Sequence, residues 1–220
     1  MVVRTRDSGR ADRLSDLLEG IGSVLAERII LDPPPGTATE ADLRRLGSSG
    51  KLCELVDGVL VEKSMGWYES VLAATLIRLL GGFVTAHNLG LVSGPDGTVR
   101  LAPGLIRAPD VAFVSWDRLP ATGPRRDDPA PSLAPDLAVE ILCEKNTQGE
   151  MRRKVRDYFA AGTTLVWILG PAARAVQVFT GSGESTMLSD DDFLTAYDLL
   201  PGFHLQVREW LDAAKPPDRP

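Results

Sequence analysis

Four carboxylates lie on stretches otherwise composed for burial. Glu54 falls within Leu52-Cys-Glu-Leu-Val-Asp-Gly-Val-Leu-Val-Glu62, and Glu69 opens an apolar helical pattern that begins at Trp67. Asp110 stands inside Arg107-Ala-Pro-Asp-Val-Ala-Phe-Val-Ser115, and Glu140 near the end of Asp136-Leu-Ala-Val-Glu-Ile-Leu142. An ionised carboxylate without a partner is expensive to bury. Four of them on elements that pack together repel one another unless a cation sits among them. Oxygen ligands suit a hard divalent ion, Mg²⁺ or Mn²⁺, better than zinc. Such an ion beside a lysine fits phosphodiester hydrolysis, in which the metal generates hydroxide and the ammonium offsets developing charge.

Each residue also has an ordinary reading. An acid in the first turn of a helix complements the macrodipole, which accounts for Glu69. Asp beside Pro109 is common turn chemistry. Lys154 lies four residues after Glu150, the favoured spacing for an ion pair on a solvent face. Other chemistries find less support. No Gly-rich phosphate loop opens a helix after a strand, and there is no Gly-x-Ser-x-Gly elbow. The two histidines, His87 and His204, have no convincing nucleophile beside them, and the two cysteines, Cys53 and Cys143, make neither a disulfide framework nor a zinc site.

The elements that must position the acids follow from period and punctuation. Asp57-Gly58 between two apolar runs predicts a hairpin, with Glu54, Val56, Val59 and Val61 on one face. Val71, Leu72, Leu76, Leu79, Leu80 and Phe83 mark one stripe of a helix from Trp67 to about residue 86. Leu91–Ser93 and Thr98–Leu101 predict short strands, and Arg107–Ser115 one buried strand. Asp136–Leu142 is apolar enough for a central strand covered on both faces. Thr147-Gln-Gly-Glu150 is a capping-box sequence, so a helix starts near Gln148, runs to Ala161 and stops at Gly162. Met151, Val155, Tyr158 and Phe159 form its inner stripe. Thr164–Leu169 predicts another buried strand, and Ala175–Phe179 an antiparallel or edge strand. Leu119–Pro135 reads as a surface loop, with Arg118, Arg125 and Arg126 as a local basic cluster.

The 220 residues suffice for one domain with a real core. A net charge of -6, from 30 acidic and 24 basic residues, argues against a general nucleic-acid binder that works by positive charge. No run of about 18 apolar residues predicts a membrane span. The segment Met1–Arg10 lacks the apolar core of a signal peptide, so a cytoplasmic location is expected. Residues 1–36 read as a partly ordered arm broken by Pro33-Pro-Pro35, 37–212 as the domain, and 213–220 as a polar tail.

Taken together, several short motifs resemble the PD-(D/E)xK nuclease superfamily, and within it the Uma2 (DUF820) family of restriction endonuclease-like proteins. They are Glu54-Leu-Val-Asp-Gly58, Arg107-Ala-Pro-Asp-Val-Ala-Phe-Val114, Pro135-Asp-Leu-Ala-Val-Glu-Ile-Leu142, Lys154-x-x-x-Tyr158 and Gly162-x-x-x-Val-Trp-Ile168. The resemblance spans about residues 37 to 210. It implies an α/β fold with a restriction endonuclease-like mixed central sheet flanked by helices, and the hairpin N-terminal to it. It further implies a metal-dependent DNA endonuclease in which Asp110 and Glu140 bind Mg²⁺ or Mn²⁺. Glu69 would bind the metal directly or through water, Lys154 would orient the attacking water, and Glu54 and Tyr158 would stand behind them. Two departures qualify this. Leu142 occupies the superfamily's usual lysine position, with Lys154 as the displaced candidate, and Glu69 stands where the family often has His. The alternatives are a catalytically silent nuclease fold that binds nucleic acid or a protein, and a glycosidase using paired carboxylates. The aromatic content of 6% is low for a sugar cleft. Self-association through the hairpin or the last strand, as a homodimer or larger homo-oligomer, is a further expectation.

Overall fold

The computed structural model describes residues 14–215. Its N-terminal part contains two short helices, α1 (Leu14–Gly20) and α2 (Glu40–Ser48), the second opened by a reciprocal capping box between Thr39 and Asp42. The predicted hairpin follows as β1 (Cys53–Val56) and β2 (Val59–Glu62). Asp57 and Gly58 have φ of 50° and 76°, the left-handed pair that a two-residue turn of this kind requires. A side chain at Gly58 would also strike the backbone of Gly36.

Next come α3 (Trp67–Ala86), β3 (Gly90–Ser93), β4 (Val99–Ala102), β5 (Leu105–Arg107), β6 (Val111–Ser115) and β7 (Leu137–Ile141). Then follow α4 (Gln148–Ala160), β8 (Leu165–Gly170), β9 (Ala175–Phe179), β10 (Ser185–Leu188), β11 (Phe193–Thr195), β12 (His204–Gln206) and α5 (Val207–Asp212). A mixed sheet of six strands runs β10-β9-β8-β7-β6-β3, and a smaller antiparallel sheet of four runs β2-β1-β5-β4. Only β7 and β8 pair in parallel within the large sheet, and α4 is the crossover between them.

Strand alternation then sorts β7. Leu137, Val139 and Ile141 face α3 and α5, in a core with Leu72, Leu76, Leu80 and Trp210. Ala138 faces the other way, against Met151, Val155 and Tyr158 of α4. Glu140, two residues on from Ala138, is therefore on the α4 side. By length and composition alone α3, with 20 residues and mean hydropathy 1.4, could cross a membrane. Here its stripe of Leu72, Leu76, Leu80 and Val84 packs on the large sheet, and the Trp210 indole N–H donates to the Leu72 carbonyl at 2.8 Å.

Three sequence expectations change. The strand expected over Arg107–Ser115 is two strands in two different sheets, interrupted at Ala108-Pro-Asp110. Pro109 has no N–H for a ladder, and the chain uses that break to pass from the small sheet to the large one. The expected basic cluster is dispersed as well: Arg118 pairs with Asp136, and Arg125 with Asp127. Finally, the expected arm is a packing element over its described part. Ile21, Val24 and Ile29 are buried against Val56, Val59 and Val61, closing the Glu54 face of the hairpin.

Candidate active site at the junction of the two sheets

Glu54 is brought to the large sheet by the hairpin. Its own sheet neighbour is β5, whose last residue, Arg107, donates from Nη1 to Glu54 Oε2 at 2.8 Å. The backbone N–H of Ala108 donates to Glu54 Oε1 at 3.0 Å. The chain then enters the large sheet at Asp110. The last paired position of β6 and β7 is Val111 opposite Val139, so Asp110 stands one step beyond, across from Glu140. Neighbouring positions of that kind place Cβ atoms about 5 Å apart. Asp110 is also held there by backbone bonds. Its N–H donates to the Val139 carbonyl at 2.9 Å, and its Oδ2 accepts the Ile141 N–H at 2.6 Å.

The helix α4 supplies the remaining groups. Thr147 caps it by accepting the Glu150 N–H at 3.0 Å. Lys154 and Tyr158, four residues apart, share the face turned toward β7. Lys154 Nζ lies 2.9 Å from Glu140 Oε2 and 3.0 Å from Glu54 Oε1. The Tyr158 hydroxyl donates to Glu140 Oε1 at 2.7 Å. Glu54, Asp110, Glu140 and Lys154 are only 1%, 3%, 4% and 3% exposed.

The solvent-face pair expected between Glu150 and Lys154 does not form. Glu150 is fully buried and is gripped at both oxygens by Arg28, at 2.7 and 2.9 Å. That frees Lys154 for the two acids on its inner side. The capping box is correspondingly half made, since the Glu150 side chain serves Arg28 rather than reaching back to Thr147.

Of the residues singled out from sequence, Asp110, Glu140, Lys154, Glu54 and Tyr158 converge in one cluster. Glu69 occupies the first turn of α3, its carboxylate folded against Gly66, the residue before the helix. Among the described residues no hydrogen bond or ion pair joins it to the other five. Three cluster members were not singled out. Lys63, just past β2, donates to the Ala108 carbonyl at 2.6 Å and the Pro95 carbonyl at 3.1 Å, and pairs with Asp110 Oδ1 at 2.8 Å. Arg107 joins Glu54 to Asp157, and Asp157 in turn accepts from Arg153 at 2.7 Å. Lys63 was within reach of sequence reasoning: extending the hairpin alternation from Val59 and Val61 puts it on the Glu54 face.

The electrostatics separate the two glutamates. Burial pushes the Glu54 carboxyl up, but Lys154 and Arg107 overcome it and hold the group well below the usual carboxylate range. Burial likewise pushes Glu140 up, Asp110 and Glu54 add to it, and Lys154 does not fully offset them, so Glu140 stays raised. For Lys154, burial favours the neutral amine, yet Glu140 and Glu54 outweigh it and keep the ammonium. Lys154 is therefore held as a charged hydrogen-bond donor between the two acids.

A raised Glu140 has a stability consequence with a definite sign. The folded protein binds the Glu140 proton more tightly than the unfolded chain does, so this group's contribution falls as pH rises above the ordinary value of 4.5. The unfolding free energy of wild type relative to Glu140→Gln is expected to decline across that window, read by urea unfolding at a series of pH values. A difference that stays level with pH would contradict the raised carboxyl.

Among the described residues no group of three or more His, Cys, Asp or Glu side chains surrounds a common metal position. The cations among the acids are Lys63, Lys154 and Arg107. The donor set nonetheless fits a hard divalent ion. Asp110 and Glu140 offer only carboxylate oxygens, and each of those four oxygens accepts one protein partner, leaving a second lone pair.

Comparison with known proteins bears on the whole arrangement. The model of the Uma2 family, described as "Putative restriction endonuclease", matches residues 40–208. Among solved structures, a "putative nuclease belonging to DUF820" from Anabaena variabilis ATCC 29413 superposes with a TM-score of 0.66 at 17% identity. The match covers 74% of this chain and 90% of that one, and at such identity it is a likeness of fold. Curated proteins give no match.

Proposed function

Since the chain belongs to the Uma2 family, we propose that it is a metal-dependent DNA endonuclease whose active site is the cluster around Glu140. One observation carries the reading: Asp110 and Glu140 are cross-strand neighbours on central strands, with two buried ammonium groups against them. Asp110 and Glu140 would hold Mg²⁺ or Mn²⁺. When bound, the ion supplies Lewis acidity toward the phosphate and lowers the pKa of water.

The chain's own groups have separate tasks. The Ile141 N–H orients Asp110, and the Tyr158 hydroxyl orients Glu140. Lys154 stays charged and donates, which suits placing a water or a phosphate oxygen and offsetting negative charge at the scissile group. Glu54 and Arg107 hold Lys154 and the strand junction in register. Glu69 would contribute only through a change of its side-chain position or through water.

The deciding experiment is nicking of supercoiled plasmid by purified protein with Mg²⁺, with Mn²⁺ and with a chelator. Cleavage that needs the metal and disappears on chelation supports the proposal. Cleavage unaffected by chelator, or none under any condition, overturns it.

A second reading is favoured by one feature, the internal pairing of every acid in the cluster. In that case the chain is a nuclease fold that binds nucleic acid or a partner without cutting. Calorimetry separates the two, since tight Mn²⁺ binding that is lost in Glu140→Ala belongs only to the first.

A further inference from the structure

We propose that the Lys63 ammonium competes with a divalent cation for Asp110, so that metal entry moves Lys63 off the carboxylate. The inference rests on the reading of Asp110 as a metal ligand and concerns what must happen for it to become one.

Asp110 has two partners of different kinds. The Ile141 N–H, 2.6 Å from Oδ2, belongs to the backbone of a central strand and cannot leave without disturbing the sheet. The Lys63 ammonium, 2.8 Å from Oδ1, ends a flexible four-carbon stem that reaches in from the end of β2. Lys63 is therefore the exchangeable partner. It is nearly enclosed, its side chain only 5% exposed, and its other two donors rest on the carbonyls of Ala108 and Pro95. Off Asp110, it would have only those two neutral carbonyls, a weaker hold than the carboxylate gives.

The other buried lysine is placed differently. Lys154 bridges Glu140 and Glu54, so it retains a whole carboxylate if a metal takes part of the charge on Glu140. Lys63 has Asp110 as its one carboxylate among the described residues. An ammonium and a divalent ion on the same carboxylate stand a few Å apart in a site screened from water, where like charges repel strongly. The two cations thus exclude each other at Asp110, and the affinity for metal is set partly by the cost of releasing Lys63. The ligand class is a small hard divalent cation, for which Mn²⁺ is a suitable probe.

The test is Mn²⁺ calorimetry on the full chain as wild type, Lys63→Met and Lys63→Arg. Methionine keeps the length and removes the charge, and it is expected to tighten Mn²⁺ binding by about tenfold or more. Arginine keeps the charge and is expected to leave binding weak. Binding by Lys63→Met that equals or falls below wild type overturns the inference, while Mn²⁺ binding by wild type that depends on Glu140 would leave the endonuclease reading standing. No Mn²⁺ binding by any of the three proteins overturns both. A readout in wild type covers the case in which Lys63→Met fails to fold. Acetylation of Lys63 by acetic anhydride, measured by mass spectrometry, is expected to be slow in the metal-free protein and faster at saturating Mn²⁺. Equal protection with and without bound metal overturns the displacement.

Discussion

Glu140→Gln is expected to lower metal-dependent plasmid nicking by about a thousandfold, the equivalent of roughly 4 kcal/mol in the barrier. The substitution is a sharp probe because the site can absorb it without misfolding. A glutamine can point its carbonyl at the Lys154 ammonium and its amide at the Tyr158 hydroxyl, which accepts as well as donates. Lys154 also keeps Glu54 as a counter-ion at 3.0 Å. What is lost is the negative charge that would hold the metal. Asp110→Asn should show a similar loss of nicking together with some loss of stability, because its amide must face either the Lys63 ammonium or the Ile141 N–H, both donors. Nicking by Glu140→Gln within tenfold of wild type, in a protein with a wild-type unfolding curve, would remove Glu140 from the chemistry.

The second large effect concerns stability. Arg107→Met is expected to destabilise the fold by about 3–5 kcal/mol, because it takes one cation from each of two buried carboxylates in a dry junction. Arg107 is 1% exposed and spans from Glu54 of the small sheet to Asp157 of α4, beside the Lys154–Glu54 pair that joins the same two elements. Glu54 would retain Lys154 and the Ala108 N–H, and Asp157 would retain Arg153, which keeps the loss from being larger. Adding Asp157→Asn to Arg107→Met should restore part of the loss, since the second change removes one of the stranded charges. Urea unfolding followed by the fluorescence of buried Trp167 and Trp210 measures both variants. A cost below about 1 kcal/mol for Arg107→Met would mean that the junction hydrates or rearranges, as exposed pairs do.

The two effects come from one cluster because the same carboxylates are asked to be buried and to remain charged. Lys154 and Arg107 hold Glu54 in its ionised form, whereas Glu140 is left with a raised proton affinity by burial first and by its acidic neighbours second. A metal ion at Asp110 and Glu140 would relieve that excess, which gives the endonuclease proposal its electrostatic logic.

Much of this was legible in the chain. The Asp57-Gly58 turn, the α3 stripe, the α4 cap at Thr147 and the apolar run around Glu140 are properties of short segments. Their backbone dihedrals and side-chain periods are fixed by residues within a few positions of one another. The same local rules placed Glu54 on the inward face of the hairpin, and would have placed Lys63 there too. The order of acids along the chain, together with the motifs around them, pointed to the Uma2 family that the family model also identifies.

Only the tertiary structure decided which charge answers which. Arg28 lies 122 residues from Glu150, and Arg107 50 residues from Asp157, separations over which no period carries information. A local rule paired Glu150 with Lys154, and it failed because that rule assumes a solvated helix face, while this face is buried between two sheets. Likewise, the apolar run on both sides of Pro109 looks continuous in sequence because hydrophobic pattern records burial and not which sheet does the burying. The acids could be found from the sequence, since a charge among apolar residues stands out locally. Their cations could not be assigned, since a counter-ion is chosen by proximity in space, and proximity was settled by how the hairpin, the large sheet and α4 pack together.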